Sequence, residues 1–253
     1  MSRALATGFP TLDRQLDGGM TRGALIVLGG DAGIGSSAMA MGIALGAAAG
    51  GARTVFLSSE SREEGLLARA TSQLSGAPIQ SVEADRPDDD HVAAIASARA
   101  RLLELPIRLA MAPSDLTEDL QQAAGVDWEL LVIDGLEGLI LDTVGRQQIL
   151  AGWVTRLKRM AVAHGGAVLV TTRTVPALAE REDPRPRLAD FGADGTIRSE
   201  ADLVLGLYRE EHYRPDRGVI GAAELLILKN RRGPRLAIDL WFESGCRRFE
   251  DLG

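Results

Sequence analysis

An apolar run, Leu25-Ile-Val-Leu28, leads straight into Gly29-Gly30-Asp-Ala-Gly33-Ile-Gly35-Ser36-Ser37 and then into an Ala/Met/Leu segment that reaches Ala49. Strand, glycine turn and helix in that order form the opening of an α/β unit, and few other architectures accommodate it. Glycines at the first and sixth positions, followed by lysine and then a hydroxyl residue, make a loop whose backbone N–H groups wrap phosphates. The lysine reaches the outer phosphates and the hydroxyl binds magnesium. Here Gly30, Gly35 and Ser37 stand in place, and Ser36 occupies the lysine position. A glycine-rich turn at a helix N-terminus still holds anions by its amides and dipole. Asp31, Ala32, Gly33, Ile34, Gly35, Ser36, Ser37 and Ala38 are therefore the candidate phosphate-binding set, with Ser37 a candidate magnesium ligand. An ordinary tight strand-to-helix turn uses the same glycines.

The remaining pattern agrees with one α/β domain over residues 1–253. Strand-like runs alternate with helix-length segments, as in a mostly parallel sheet flanked by helices. After the helix ending at Gly50-Gly51, a strand is predicted at 54–57, a helix at 62–74, a helix at 91–103 after the acidic turn 85–90, and a short strand at 107–109. A helix is predicted at 116–124, a strand at 130–133, a helix at 147–164 and a strand at 167–170. Residues 176–199 are polar, contain Pro176, Pro184 and Pro186, and read as a long loop with one short helix. Strands follow at 203–208, 223–228 and 236–242. The last two form a C-terminal β-hairpin, with Lys229 to Arg235 at its tip and Gly233-Pro234 as the turn.

Composition narrows the function classes. Hydrophobic residues make up 45% of the chain and aromatics 4%, so the core is built from aliphatic side chains. The net charge of −7 excludes a broadly basic nucleic-acid binder but not a local basic surface within a pore. No apolar stretch reaches the roughly 18 residues of a membrane span. The single cysteine, Cys246, has no internal partner for a disulfide, and the expected compartment is the cytoplasm.

Further residues carry candidate chemistry. Asp134 ends the most apolar strand, where phosphoryl-transfer sites place a magnesium aspartate; a cap on the following turn is the alternative. The strand ends at 30 and 134 are expected to lie side by side in the sheet. Glu60, beyond the 54–57 strand, suits a base that orients water, or equally a solvated acid at a helix start. Lys229, Arg231, Arg232 and Arg235 suit a basic tip that reaches a neighbouring subunit's phosphates, or a solvated turn.

Taken in order, these segments resemble the C-terminal motor domain of the DnaB family of replicative helicases, a RecA-like ATPase. The resemblance spans Thr7-Gly-Phe-Pro-Thr-Leu-Asp13, the glycine loop, Phe56-Leu-Ser-Ser-Glu60, Leu131-Val-Ile-Asp134, Arg146-Gln-Gln148, Arg181 to Asp190, Gly195 to Asp202, Leu207 to Tyr213, Lys229-Asn-Arg231-Arg-Gly-Pro234 and Arg248-Phe-Glu-Asp251. It implies ATP and Mg2+ as cofactors, single-stranded DNA as partner, a homo-oligomeric and usually hexameric ring, and no membrane. Glu60 becomes the catalytic glutamate, Ser37 and Asp134 the Mg2+ ligands, and Lys229 and Arg231 fingers acting across a subunit interface. The loops after Asp134 and from Thr174 to Gly195 face DNA. The primase-binding N-terminal collar is expected to be absent, because only six residues precede Thr7.

The chain departs from the family pattern in three places. Ser36 replaces the lysine. Arg173 stands where the family usually carries a glutamine, and by position it is the candidate to supply the missing charge. The loop after Asp134 has no lysine before Arg146. A non-catalytic ring component, and an ATPase resembling KaiC or RadA, are the competing expectations.

Overall fold

The computed structural model describes residues 4–84, 88–113, 125, 127–140, 145–174, 178–192, 195–216 and 218–253. The predicted helix 116–124 lies outside them, as does part of the loop after Asp134, residues 141–144. Among the described residues nine strands form one sheet: β1 (Leu25–Gly30), β2 (Thr54–Ser58), β3 (Ile107–Met111), β4 (Leu130–Asp134), β5 (Ala167–Arg173), β6 (Leu203–Arg209), β7 (Ala222–Asn230), β8 (Ala237–Glu243) and β9 (Arg248–Asp251). Their order is β3-β2-β4-β5-β1-β6-β7-β8-β9. The six strands from β3 to β6 run parallel, and β6 to β9 are antiparallel. The predicted α/β class and C-terminal hairpin are both present. The hairpin gains a ninth strand, β9, which sequence periodicity did not reveal.

Alternation along the strands divides the core into two layers. Ile26 and Leu28 face the layer containing helix α2 (Ser36–Ala49) and helix α3 (Glu63–Ser75); Leu25 and Val27 face the layer of the long helix Arg146–His164. That long helix buries Leu150, Val154, Leu157 and Ala161 at the predicted helical spacing. The parallel strands β1, β2 and β4 are buried along their whole length, as strands covered on both faces must be. β8 alternates strictly between exposed and buried residues, which marks the single-sided antiparallel flank.

Helix α2 is made of Ala, Met, Ile, Leu, Ser and Gly and buries eight of its residues. Its glycines permit close approach. A Cβ on Gly46 would lie 2.4 Å from the Thr7 carbonyl oxygen and 2.6 Å from Gly8 Cα. The segment before β1 is thereby pressed onto the helix, with Phe9 against Gly42. Two short helices that the sequence did not reveal, α1 (Pro10–Gln15) and α4 (Ile79–Glu83), border this layer.

Two expectations need correction. The ends of β1 and β4 are not neighbours, because β5 lies between them. Lys229 lies in strand and not in a free turn: the β7–β8 ladder ends at Leu226 and Ala237, but β7 runs on through Asn230 against β6, with Lys229 opposite Val204. A register shift between Val204 and Leu205 adds a residue to β7, which carries the ladder past the predicted strand end.

Candidate functional site

The glycine turn sits at the C-terminal end of β1, the central strand, where chain connections diverge to either side of an α/β sheet. Gly33 and Gly35 have φ of 78° and 110°, a region closed to most side chains. Gly30 has no room for a side chain: a Cβ there would lie 2.8 Å from the Leu207 carbonyl oxygen. Helix α2 starts at Ser36, with Gly35 as its N-cap and no side chain capping the first turn. Its first N–H groups therefore point toward the loop without internal partners.

Three strand ends supply the polar side chains beside the loop. Asp134, at the end of β4, is 3% exposed. Its Oδ1 accepts a hydrogen bond from the Thr171 hydroxyl of β5 at 2.8 Å, its Oδ2 lies 3.5 Å from the Ser58 hydroxyl, and the Ser37 hydroxyl is close enough to lower the pKa of the same carboxylate. Burial pushes the Asp134 carboxyl above its ordinary range. The Ser37 and Thr171 hydroxyls and the charge of Arg69 on α3 pull it down, while the charge of Glu60 adds to the rise. The intervening strand β5 thus bridges the loop and Asp134 instead of separating them. Ser37 and Asp134, predicted as a pair, do meet.

Glu60 lies two residues past the end of β2, and Arg173 closes β5. Their side chains form an ion pair at 3.1 Å that passes over the end of β4, and both are more than half exposed. The Arg173 backbone N–H donates to Glu137 at 2.7 Å, and the Thr172 hydroxyl donates to the same oxygen. Arg173 therefore lies in the site, with its charge engaged by Glu60.

Loop, strand ends and the C-terminal hairpin enclose a cavity of about 520 Å³. Its walls include Gly30 to Ala38 (Ile34 excepted), Glu60, Arg69, Gln73, Thr171, Arg173, Arg209 and Arg247. The buried Gln73 amide donates to the carbonyls of Ala38 (2.9 Å) and Arg247 (2.8 Å), clasping α2, α3 and the β8–β9 turn together. Arg209 stacks on Phe242 with its guanidinium carbon 3.9 Å from the ring centre, donates to the Ile34 carbonyl, and is ion-paired with Glu211. Cys246 is buried, and burial pushes its thiol up, away from reactivity.

Thr171, Glu137, Gln73, Arg69 and Arg209 escaped sequence reasoning. The Thr171-Thr172 pair at the end of a buried strand was a usable signal. The arginines read as solvated surface residues.

Lys229 and Arg231 stand apart from this cavity, toward the opposite end of the strands. Lys229 Nζ donates to the Arg198 carbonyl at 2.7 Å; Arg231 reaches the Ser199 carbonyl and pairs with Asp202 at 3.4 Å. Burial, helped by the charge of Arg231, lowers the Lys229 pKa. Asp202 also accepts from Leu25 N–H and Lys158, tying the lower ends of β1 and β6 together. In the polar stretch before β6, Arg181 forms a two-point pair with the buried Asp190.

No helix among the described residues is long and apolar enough to cross a membrane. The chain is 28% identical over 259 residues to the replicative DNA helicase DnaB of Leifsonia xyli subsp. xyli, an alignment covering 97% of this chain and 55% of the relative. The chain thus spans about half the length of the curated relatives it matches. In three dimensions it superposes on a solved DnaB-like replicative helicase with a TM-score of 0.88 at 21% identity, covering 99% of this chain and 62% of that one. A KaiC-like protein from Pyrococcus horikoshii gives a TM-score of 0.67 at 18% identity over the whole of both chains. The sheet order and glycine loop are thus those of a RecA-like fold, and the sequence profile of the DnaB-like helicase C-terminal domain matches residues 4–251. From Ala4 to Asp251, the chain belongs to the DnaB-like helicase C-terminal domain family.

Proposed function

We propose that this chain binds ATP with Mg2+ in the loop cavity and works as the motor domain of a DNA helicase. In this reading it moves along single-stranded DNA during replication as a hexameric ring in the cytoplasm. The observation that carries the proposal is the contact of Ser37 with Asp134 beside a phosphate-type loop. The donor set suits the cation. Magnesium keeps much of its water and takes one or two protein oxygens plus the oxygens of substrate phosphates. No group of three or more His, Cys, Asp or Glu that could hold a metal occurs among the described residues.

When bound, the metal would neutralise phosphate charge and align the outer phosphates. The N–H groups of residues 33–38 hold the phosphates. Asp134 and Ser37 hold the metal, and Thr171 fixes the rotamer of Asp134. Glu60 orients the attacking water, with Arg173 setting its position. Lys229 and Arg231, turned away from their own cavity, serve the site of the next subunit.

Ser36 favours a second reading, a ring component that keeps nucleotide but turns it over slowly. Losing one preorganised electrostatic donor costs about 10²–10³ in rate. ATP hydrolysis measured with and without single-stranded DNA, on the unmodified chain and on Ser36→Lys, separates the two. DNA-stimulated turnover in the unmodified chain supports the motor, and turnover confined to Ser36→Lys supports the slow component. Failure of both to bind ATP overturns the nucleotide reading.

A further inference from the structure

The Tyr213 hydroxyl is shut off from solvent, and among the described residues it has no hydrogen-bond partner. A buried phenol ordinarily finds one, because the water it has lost must be replaced. The ring is fixed where it stands. It packs on the core layer that contains α2, stacks on Tyr208 with ring centres 5.6 Å apart, and meets His212 edge-on at 5.0 Å. Arg185 lies over the Tyr208 ring, its guanidinium carbon 4.5 Å from the centre, and is itself held by Glu224.

Tyr213 ends the single helical turn Glu210–Tyr213, which follows β6 and lies against the glycine loop. A Cβ on Gly33 would lie 3.6 Å from His212 Cε1, and Arg209, where the helical turn begins, donates to the Ile34 carbonyl at 3.3 Å. In the same loop the Asp31 carboxylate lines the cavity and accepts from the Ala32 N–H at 2.8 Å. Burial, and after it the charge of Asp31, pushes the Tyr213 hydroxyl above its ordinary range. A carboxylate is out of place in a loop that wraps phosphates with N–H groups. It occupies an amide for which an anionic ligand competes, and its charge repels that ligand.

We propose that Tyr213 is a positioning residue for the loop: when phosphates enter, the Asp31 carboxylate leaves the Ala32 N–H and turns to accept the Tyr213 hydroxyl. This rests on the cavity being a nucleotide site. The exchange frees one loop N–H, moves one negative charge away from the phosphates, and gives the buried phenol the acceptor it lacks. A hydrogen bond to a carboxylate is also the stronger kind. Tyr213 touches no phosphate and acts through Asp31, while the aromatic stack holds its hydroxyl ready in both states.

The test is calorimetric titration of a non-hydrolysable ATP analogue, with Mg2+, into the full chain and its Tyr213→Phe, Asp31→Ala and Tyr213→Phe/Asp31→Ala variants. Thermal melting without nucleotide accompanies each titration. Tyr213→Phe is expected to melt higher than the unmodified chain, because an unpaired buried hydroxyl is removed, yet to bind the analogue about tenfold more weakly. The opposite signs separate positioning from packing. Once Asp31→Ala has removed the acceptor, the same change at Tyr213 should alter affinity by less than about twofold. A Tyr213→Phe chain that both melts lower and binds more weakly would show a structural role and overturn the proposal. So would unchanged affinity in Tyr213→Phe, or an equal loss with and without Asp31. If the unmodified chain binds no ATP analogue at all, the nucleotide reading itself fails and this inference falls with it.

Discussion

The Thr171 hydroxyl stands between two partners: it donates to Asp134 Oδ1 at 2.8 Å and accepts from the Gly135 N–H at 2.7 Å. One hydroxyl on β5 thus orients the carboxylate at the end of β4 and also fixes the turn that follows. Thr171→Val keeps the shape and removes both bonds. The expected cost is about 2 kcal/mol, since one lost bond involves a charged acceptor. For a chain of this size, that is a fall of about 4–8 °C in thermal melting.

Burial opposes the ionisation of Asp134 and pushes its carboxyl above the ordinary range. Asp134→Asn removes a buried charge while keeping an acceptor for Thr171. The nucleotide-free protein is expected to melt higher than the unmodified chain, because a buried charge is removed. The same variant should lose the further rise that Mg2+ and ATP give the unmodified chain. Calorimetry with and without both ligands reads the two effects separately.

Asp190 supplies a pH-dependent contribution. Burial pushes its carboxyl up, but the Arg181 guanidinium and the Arg187 N–H outweigh that and hold it below the usual range. A depressed carboxylate stabilises the fold above its unfolded pKa of about 3.9, and the contribution disappears as pH falls through the lower folded value. Denaturant unfolding between about pH 6 and pH 3 should therefore show a loss of stability toward acid that is smaller in Asp190→Asn. At neutral pH that variant should be less stable than the unmodified chain, because the Arg181 guanidinium and the Arg187 N–H lose a charged acceptor.

Two helix glycines give opposite expectations. Gly46→Ala drives a methyl group into the Thr7 carbonyl and Gly8 Cα, both backbone atoms, and should cost about 2–3 kcal/mol. Gly152→Ala, in the helix Arg146–His164, meets nothing within 4 Å and should stabilise by up to about 1 kcal/mol. Urea midpoints of the two variants decide this.

If Lys229 and Arg231 serve a neighbouring subunit, Arg231→Ala should bind nucleotide normally and lose turnover. Mixing it with Asp134→Asn should restore some activity, because mixed rings contain interfaces at which both residues are intact. Activity that stays at the sum of the two separate variants argues against shared sites.

The fold was legible where periodicity was strong. Buried strands such as Leu130 to Ile133 and the helix carrying Leu150, Val154 and Leu157 follow directly from apolar spacing. The loop and Asp134 were legible as types. Their meeting depends on β5 inserting between β1 and β4, and strand order leaves no trace in local sequence. That Lys229, beyond the last β7–β8 pair, is still held in strand against β6 across a bulge was not legible, because a bulge is a property of pairing between strands. Arg69 was illegible for the same reason. An arginine on a helix reads as solvated until a second element covers it.

The clasp made by Gln73 ties the chain's two halves into one mechanical part. Its amide holds the first turn of α2 and the β8–β9 turn, while the Arg248 guanidinium bonds its backbone carbonyl at 3.0 Å. Residues 244–249, almost the last in sequence, therefore serve as a doorpost of the cavity opened by residues 30–38. Any pull on the C-terminal strand is delivered to the helix that carries Arg69 and to the start of α2 together. Labels and fusions for single-molecule work on this domain belong near residue 4, where they leave that lever unloaded.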